Sequence, residues 1–322
     1  MDRWSTVLDH LASALPYRGR LVLIDGSALV ADRLADRFRD QGQPCVRLTT
    51  GTCVDDDWPG LSAGAVVVAD GAAWRDRLPS GRWDLSVRVR TGRGHRDGDA
   101  HVLMDLHDPE WPVIRHIDPD LMPDDHWYRT ESPAFFATRA ATWDVKFGSD
   151  LPAYAAAVAE SGLRPGGTAI DVGCGTGRAL PGLRAAVGPD GTVLGADHTP
   201  QMLAEASARA RECEALLLLA DVRHLPLPDR SVDAIFAAGL LNHLPSPATG
   251  LREMARITRA GGRLVLFHPS GRAALAARHG RELLPDEPLA EPVLRVDTAE
   301  TGWELLRYED GPSRFYAVAA RR

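Results

Sequence analysis

From about residue 163 onward, short apolar runs alternate with longer stretches in which apolar residues recur at helical spacing. The runs at 168–172, 192–196, 216–220, 232–238 and 263–268 predict strands, and the intervening patterns predict helices near 178–187, 200–213 and 247–258. Thr199 before Pro200 suits an N-cap followed by proline at the first helical position, and Gly188 and Gly261 punctuate other ends. Strands that alternate with helices imply a parallel sheet, because parallel neighbours need a crossover rather than a tight turn. The chain closes differently, with 304–308 and 314–319 flanking the turn Glu309-Asp310-Gly311-Pro312. That pattern predicts a β-hairpin, and therefore an antiparallel strand in an otherwise parallel sheet.

The N-terminal third has its own rhythm, with strand-like runs at 21–24, 45–48, 66–69, 85–89 and 100–105 and a helix near 29–41. It predicts a second, smaller parallel α/β sheet. The segment 107–125 is rich in Pro, Asp and His without periodicity and reads as a linker, which places domains at 1–121 and 122–322.

The densest chemical signal is Asp171-Val172-Gly173-Cys174-Gly175-Thr176-Gly177-Arg178, at the end of one predicted strand and the start of a helix. Glycines there let the backbone approach a nucleotide-like ligand. A dinucleotide fingerprint would want Gly or Ala three residues after Gly175, for close packing of helix on strand, and Arg178 stands there instead. The nicotinamide reading is disfavoured on that ground.

The run from Asp171 to Gly177 resembles the first motif of the class I S-adenosylmethionine-dependent methyltransferases. The similarity continues through Ala196-Asp197-His198-Thr199-Pro200-Gln201-Met202-Leu203, Ala220-Asp221-Val222 and Arg259-Ala260-Gly261-Gly262-Arg263-Leu264, and the terminal hairpin resembles the family's last two strands. Ala260 departs from the proline often found before the glycine pair. The resemblance implies a Rossmann-like seven-stranded sheet ending in an antiparallel hairpin, with S-adenosylmethionine as methyl donor. It places Asp171, Gly173, Cys174, Gly175, Gly177, Asp197, His198, Met202, Asp221, Val222 and Ala238 around that donor. Asp197 would accept from the ribose hydroxyls, a role that its place at a strand end also suits. Asp221 would meet the adenine amino group beside the Val222 backbone, and Asp171 would orient the loop or reach the methionine ammonium. Met202 reads equally well as core.

Methyl transfer by in-line displacement depends mostly on proximity and orientation, so a dedicated base is optional. His243, after the fourth strand, and His268, ending the fifth, are the candidates for one, since neutral imidazole can accept a proton near pH 6.5. A structural role is the competing reading for each. Upstream, Phe136, Ala140, Trp143 and Phe147 share one helical face behind an N-cap at Ser132 and Pro133. They read as core against the sheet or as a lid that keeps water from the site.

In the N-terminal third, Leu21-Val22-Leu23-Ile24-Asp25-Gly26 with 31–35 resembles the opening of a uridine-kinase-like P-loop domain, and Val66 to Gly71 and Trp83 to Val87 resemble its later strands. The similarity covers 19–118. Counted from Gly26, the loop's second glycine, lysine and hydroxyl residue are replaced by Ala31, Asp32 and Arg33. The phosphate-binding cation is gone, so the domain reads as degenerate.

Composition changes little in this picture. The 322 residues exceed a usual single core, and 44% hydrophobic with 25% charged residues is ordinary for globular chains. The net charge of -7 disfavours nucleic acid as a partner, as does Ala237-Ala238-Gly239-Leu240 where base amino-methylating enzymes carry Asn/Asp-Pro-Pro-aromatic. Cys45, Cys53, Cys174 and Cys213 are too scattered for a zinc site or a disulfide scaffold, and are expected to be buried thiols. No metal is expected. Residues 1–15 lack a secretory pattern and no run is long enough to span a bilayer, so a cytoplasmic protein is expected. The leading reading is methylation of a small-molecule acceptor, with a homodimer left open. The alternatives are a nucleic-acid methyltransferase or a non-catalytic donor-binding regulator.

Overall fold

The computed structural model describes residues 2–16, 20–49, 64–75, 83–91, 100–278, 280 and 282–322. They form two compact units, Met1–Ser132 and Pro133–Arg322.

The first unit runs α1 (Arg3–Ala14), β1 (Leu21–Asp25), α2 (Ala28–Asp40), β2 (Cys45–Leu48), β3 (Val66–Asp70), β4 (Leu85–Arg90), β5 (Val102–Asp105), β6 (Val113–Ile117) and the first turns of α3 (Tyr128–Ala137). Its sheet has the order β2-β3-β1-β4-β5-β6. All pairings are parallel except β5 with β6. The central strands are apolar throughout, as expected where both faces are covered. Leu21, Leu23, Val67 and Ala69 pack with Trp74 and Trp83 on one face.

Three expectations change here. The segment 107–125 is not a linker, because it contains β6, whose antiparallel pairing makes the sheet mixed. Helix α1 was not foreseen; the Asp2 carboxylate caps it by accepting from the Trp4 and Ser5 amides. The units divide at Ser132 rather than after Leu121 because Glu131 ties this stretch inward. Its fully buried carboxylate accepts from Arg3 Nη2 at 2.6 Å and from the Ile114 amide at 2.8 Å.

The second unit continues from α3 through α4 (Ala140–Phe147), α5 (Leu151–Ala159), β7 (Thr168–Val172), α6 (Leu180–Val187), β8 (Thr192–Asp197), α7 (Pro200–Glu212), β9 (Leu216–Leu219) and β10 (Val232–Ala238). It ends with α8 (Pro247–Ile257), β11 (Thr258–His268), α9 (Arg272–Arg278), α10 (Glu291–Glu300), β12 (Trp303–Asp310) and β13 (Phe315–Arg321). The sheet order is β12-β13-β11-β10-β7-β8-β9, with only β13 antiparallel to its neighbours. From β7 the chain winds outward to β8 and β9, and from β10 it winds the other way. The boundary between β7 and β10 is therefore a topological switch point, where ligands of open α/β sheets bind at the carboxyl ends of the strands.

The strands stand close to where apolar periodicity placed them. The aromatic helix does not: it is two helices, α3 and α4, separated at Thr138 and Arg139, and Pro133 lies inside α3 rather than opening a helix. Helices α9 and α10 were not foreseen.

Candidate functional site

The glycine-rich segment leaves β7 and hangs on the end of β8. The Gly173 and Cys174 amides both donate to the Ala196 carbonyl, at 2.8 and 3.0 Å. The Asp197 carboxylate accepts from the Gly175 amide at 2.9 Å and from the Thr199 amide at 2.8 Å. One carboxylate thus fixes both the loop and the entry of α7. Gly175 has φ +53° and open space where a side chain would begin, which leaves that stretch of backbone approachable. Gly177 has φ +78°, and a Cβ there would stand 2.8 Å from Leu180 Cδ1 and 3.3 Å from Ala206 Cβ.

Asp171, the second-to-last residue of β7, is 2% exposed. Burial pushes its pKa up to about 8, the Asp197 charge adds to the rise, and Arg178 opposes it. An environment that resists a buried negative charge is one that an added cation would relieve.

Asp221, just beyond β9, is held by Arg223 through Nε at 3.0 Å and Nη2 at 2.6 Å, and also accepts from the Arg223 amide at 3.0 Å. Burial raises its pKa, but these hydrogen bonds outweigh it and leave the carboxyl below its ordinary range. Between the two acids lies His198, whose pKa burial lowers while Asp197 and Asp221 pull it back up. Val222 and Met202 are buried, and Ala238 is half-buried at the end of β10. Cys174 is buried, and burial drives its thiol pKa well up, which disfavours the thiolate. Cys213 is also buried, Cys45 is only half-buried, and Cys53 lies outside the described residues.

His243 and His268 do not converge on equivalent positions. His243 lies in a 3-10 turn after β10, with its ring edge-to-face on Phe136 at 5.2 Å. His268 ends β11 beside Gly239, whose Cβ position is 3.6 Å from the ring. Its Nδ1 is 2.9 Å from the Ser270 carbonyl and 3.0 Å from the Ser270 amide. Burial lowers the His268 pKa, so the ring is neutral at pH 7.

The sequence did not point to the residues that tie α4 and α5 to the glycine loop. Thr176 Oγ1 donates to Asp144 Oδ1 at 2.6 Å, and Arg209 Nη2 donates to Asp144 Oδ2 at 2.9 Å. Arg178 Nη1 donates to the Phe147 carbonyl and Nη2 to Tyr154 Oη, each at 2.9 Å. Thr176 and Arg178 stood in the glycine motif and Phe147 on the aromatic helical face, but nothing in the sequence tied them to Asp144, Tyr154 or Arg209. Among the described residues no cluster of His, Cys, Asp and Glu could hold a metal ion, and no helix is long and apolar enough to cross a membrane.

Residues 170–266 match the methyltransferase domain family. A 37.1 kDa protein in transposon TN4556 of Streptomyces fradiae is 41% identical over 107 residues, 33% of this chain and 31% of that one. The 27-O-demethylrifamycin SV methyltransferase of Amycolatopsis mediterranei is 35% identical over 108 residues, 32% of this chain and 39% of that one. The chain thus spans less than half the length of these relatives. Among solved structures, a SAM-dependent methyltransferase from Aquifex aeolicus matches with 27% identity and a TM-score of 0.44, covering 51% of this chain and 87% of that one. Within the second unit, the stretch 170–266 is thus similar to methyltransferase domains.

The connection between β1 and α2 has no room for a phosphate loop. Strand β1 ends at Asp25 and α2 begins at Ala28, so only Gly26 and Ser27 lie between. Gly26 has φ +104°, and a Cβ there would fall 2.3 Å from the Val89 carbonyl oxygen. Asp32 lies within α2 paired with Arg47 at 2.8 Å, and Arg33 stacks on the Trp4 ring at 4.1 Å. The phosphate loop whose residues are replaced in the sequence is thus absent between β1 and α2.

Proposed function

We propose that the second unit transfers a methyl group from S-adenosylmethionine to a small-molecule acceptor. The observation that carries this reading is the Asp197 carboxylate, which braces the Gly175 amide at the end of β8 beside an approachable glycine backbone. The residues fit the donor. Asp197 would accept from ribose hydroxyls with its remaining lone pairs, Asp171 would face the ammonium, and Asp221 with His198 and the Val222 backbone would border the adenine. Gly173, Cys174, Gly175, Gly177, Met202 and Ala238 would complete the walls. When bound, S-adenosylmethionine supplies an electrophilic methyl: the acceptor's electron pair forms the new bond to carbon, the carbon–sulfur bond breaks, and its pair stays on sulfur.

The chain's own contribution is alignment and exclusion of water. His268 is the candidate base in the tautomer whose Nδ1–H donates to the Ser270 carbonyl, which leaves Nε2 to accept a proton, while burial lowers the ring's pKa and weakens it in that role. The His243 ring packs edge-on against Phe136. A small-molecule acceptor is supported by the relative named for a demethylated rifamycin, and by the net charge of -7. The test is transfer of labelled methyl by the full chain to pools of small molecules and, separately, RNA. Label in the small-molecule pool is expected, and label confined to RNA would overturn the acceptor assignment.

A further inference from the structure

Resting on that reading, we infer that the acceptor is a planar aromatic molecule, bound against a ladder of aromatic rings that crosses the switch point of the sheet. The ladder begins at His243, after β10, and passes to Phe136 at 5.2 Å, to Trp143 at 5.9 Å and to Phe147 at 4.9 Å. It ends where Arg178 of the glycine loop stands 5.9 Å from the Phe147 ring. One end is thus anchored on the carboxyl end of β10 and the other on the loop after β7. Strands β10 and β7 are neighbours at the switch point, where topology places ligands.

Two features separate this ladder from ordinary core. Its four rings are all only half-buried, whereas Phe236 and Phe267 in the sheet core are fully buried. It is also held by polar contacts outside itself, since Asp144 on the same helix as Trp143 bonds Thr176 and Arg209. The rings keep their places without needing to bury one another. Donor contacts fall to acids on the β7, β8 and β9 side, which leaves the β10 side of the crevice to the acceptor. Successive rings meet edge-on or tilted, so the ladder offers both ring faces and ring edges to a flat partner. An aromatic acceptor gains from that pattern beyond the area it buries, and a saturated one of equal size does not.

The experiment uses the full chain saturated with S-adenosylhomocysteine, and compares the binding of 2-naphthol with that of its saturated counterpart trans-2-decalol by calorimetry. Wild type should favour the naphthol by about 3- to 10-fold. Trp143→Ala should erase the preference while S-adenosylhomocysteine affinity stays within about twofold, and Trp143→Phe should retain it. Equal affinity for both probes in wild type would overturn the inference, as would a preference undiminished in Trp143→Ala. If the alanine variant does not fold, the wild-type comparison still decides. Failure to bind S-adenosylhomocysteine at all would instead sink the donor reading, so the two failures are distinct.

Discussion

The Thr176 hydroxyl donates to Asp144 Oδ1 across 2.6 Å, and so joins the glycine loop to helix α4. Arg209 closes the arrangement by donating to the other Asp144 oxygen at 2.9 Å and to the Thr176 carbonyl. Thr176 is 2% exposed, so its hydroxyl would be left in a dry place without this partner. Loop and helix are therefore expected to order together. In Asp144→Ala, hydrogen exchange should rise in both 140–147 and 173–178, and donor affinity should fall about 3- to 30-fold, from the loss of charge-assisted hydrogen bonds. Faster exchange in α4 alone would show that the two segments are independent.

Asp197→Ala should weaken S-adenosylmethionine binding by about 10- to 100-fold, since hydrogen bonds to a charged group contribute roughly 1.5 to 3 kcal/mol. The Gly175 and Thr199 amides lose their acceptor in the same substitution, so the loop itself should loosen. Calorimetry showing unchanged affinity would remove Asp197 from the donor site.

Asp171 should make donor binding a proton-linked event. Its pKa of about 8 in the folded chain stands above the ordinary 3.8, so between those values the folded state holds a proton that the unfolded state has released. Stability from this group is full below about pH 4 and is lost as pH rises toward about 8. A donor ammonium beside the carboxyl would favour its ionised form. Binding at pH 7 should then release protons, seen as a dependence of the calorimetric enthalpy on buffer ionisation. Asp171→Asn should abolish that dependence and flatten the fall in melting temperature between pH 5 and 8.

Legibility of the sequence tracked the range of the interactions involved. Strands β7, β8 and β10 were readable because both their faces are covered, which produces unbroken apolar runs that composition alone reveals. The Asp197 position was readable from its distance to the glycine motif, a local spacing. Arg223, only two residues from Asp221, could have been noticed, but nothing in Asp-Val-Arg says that the arginine turns back to chelate the acid. Asp144 and Arg209 were invisible, since a carboxylate on one helix and a guanidinium on another carry no mark of pairing across 65 residues. Strand β6 was missed for a related reason. Its Arg115 and half-buried edge dilute the apolar pattern, and antiparallel pairing with β5 is decided by tertiary packing. The kinase-like resemblance rested on strand-sized apolar runs ending in Asp-Gly, at 21–26 and 66–71, a local pattern that does not specify a phosphate loop.

The first unit should neither hydrolyse ATP nor phosphorylate nucleosides. Phosphoryl transfer rests on positioning the γ-phosphate and neutralising its charge, with loop amides, a lysine and a hydroxyl-held metal as the working parts. The turn of Gly26 and Ser27 between β1 and α2 is too short to cradle phosphates, and the Val89 carbonyl closes over Gly26. The acids at the ends of β3 and β1 are already paired, Asp70 with Arg47 at 3.0 Å and Asp25 with Arg88 at 3.2 Å and with Arg75. The full chain with Mg²⁺ should therefore show ATP turnover and uridine phosphorylation at the level of the buffer alone, and Asp70→Ala should change neither. Turnover above that level which disappears in Asp70→Ala would establish a working phosphate site built on the end of β3. The arginine pairing described for Asp70 would then have to open when nucleotide binds.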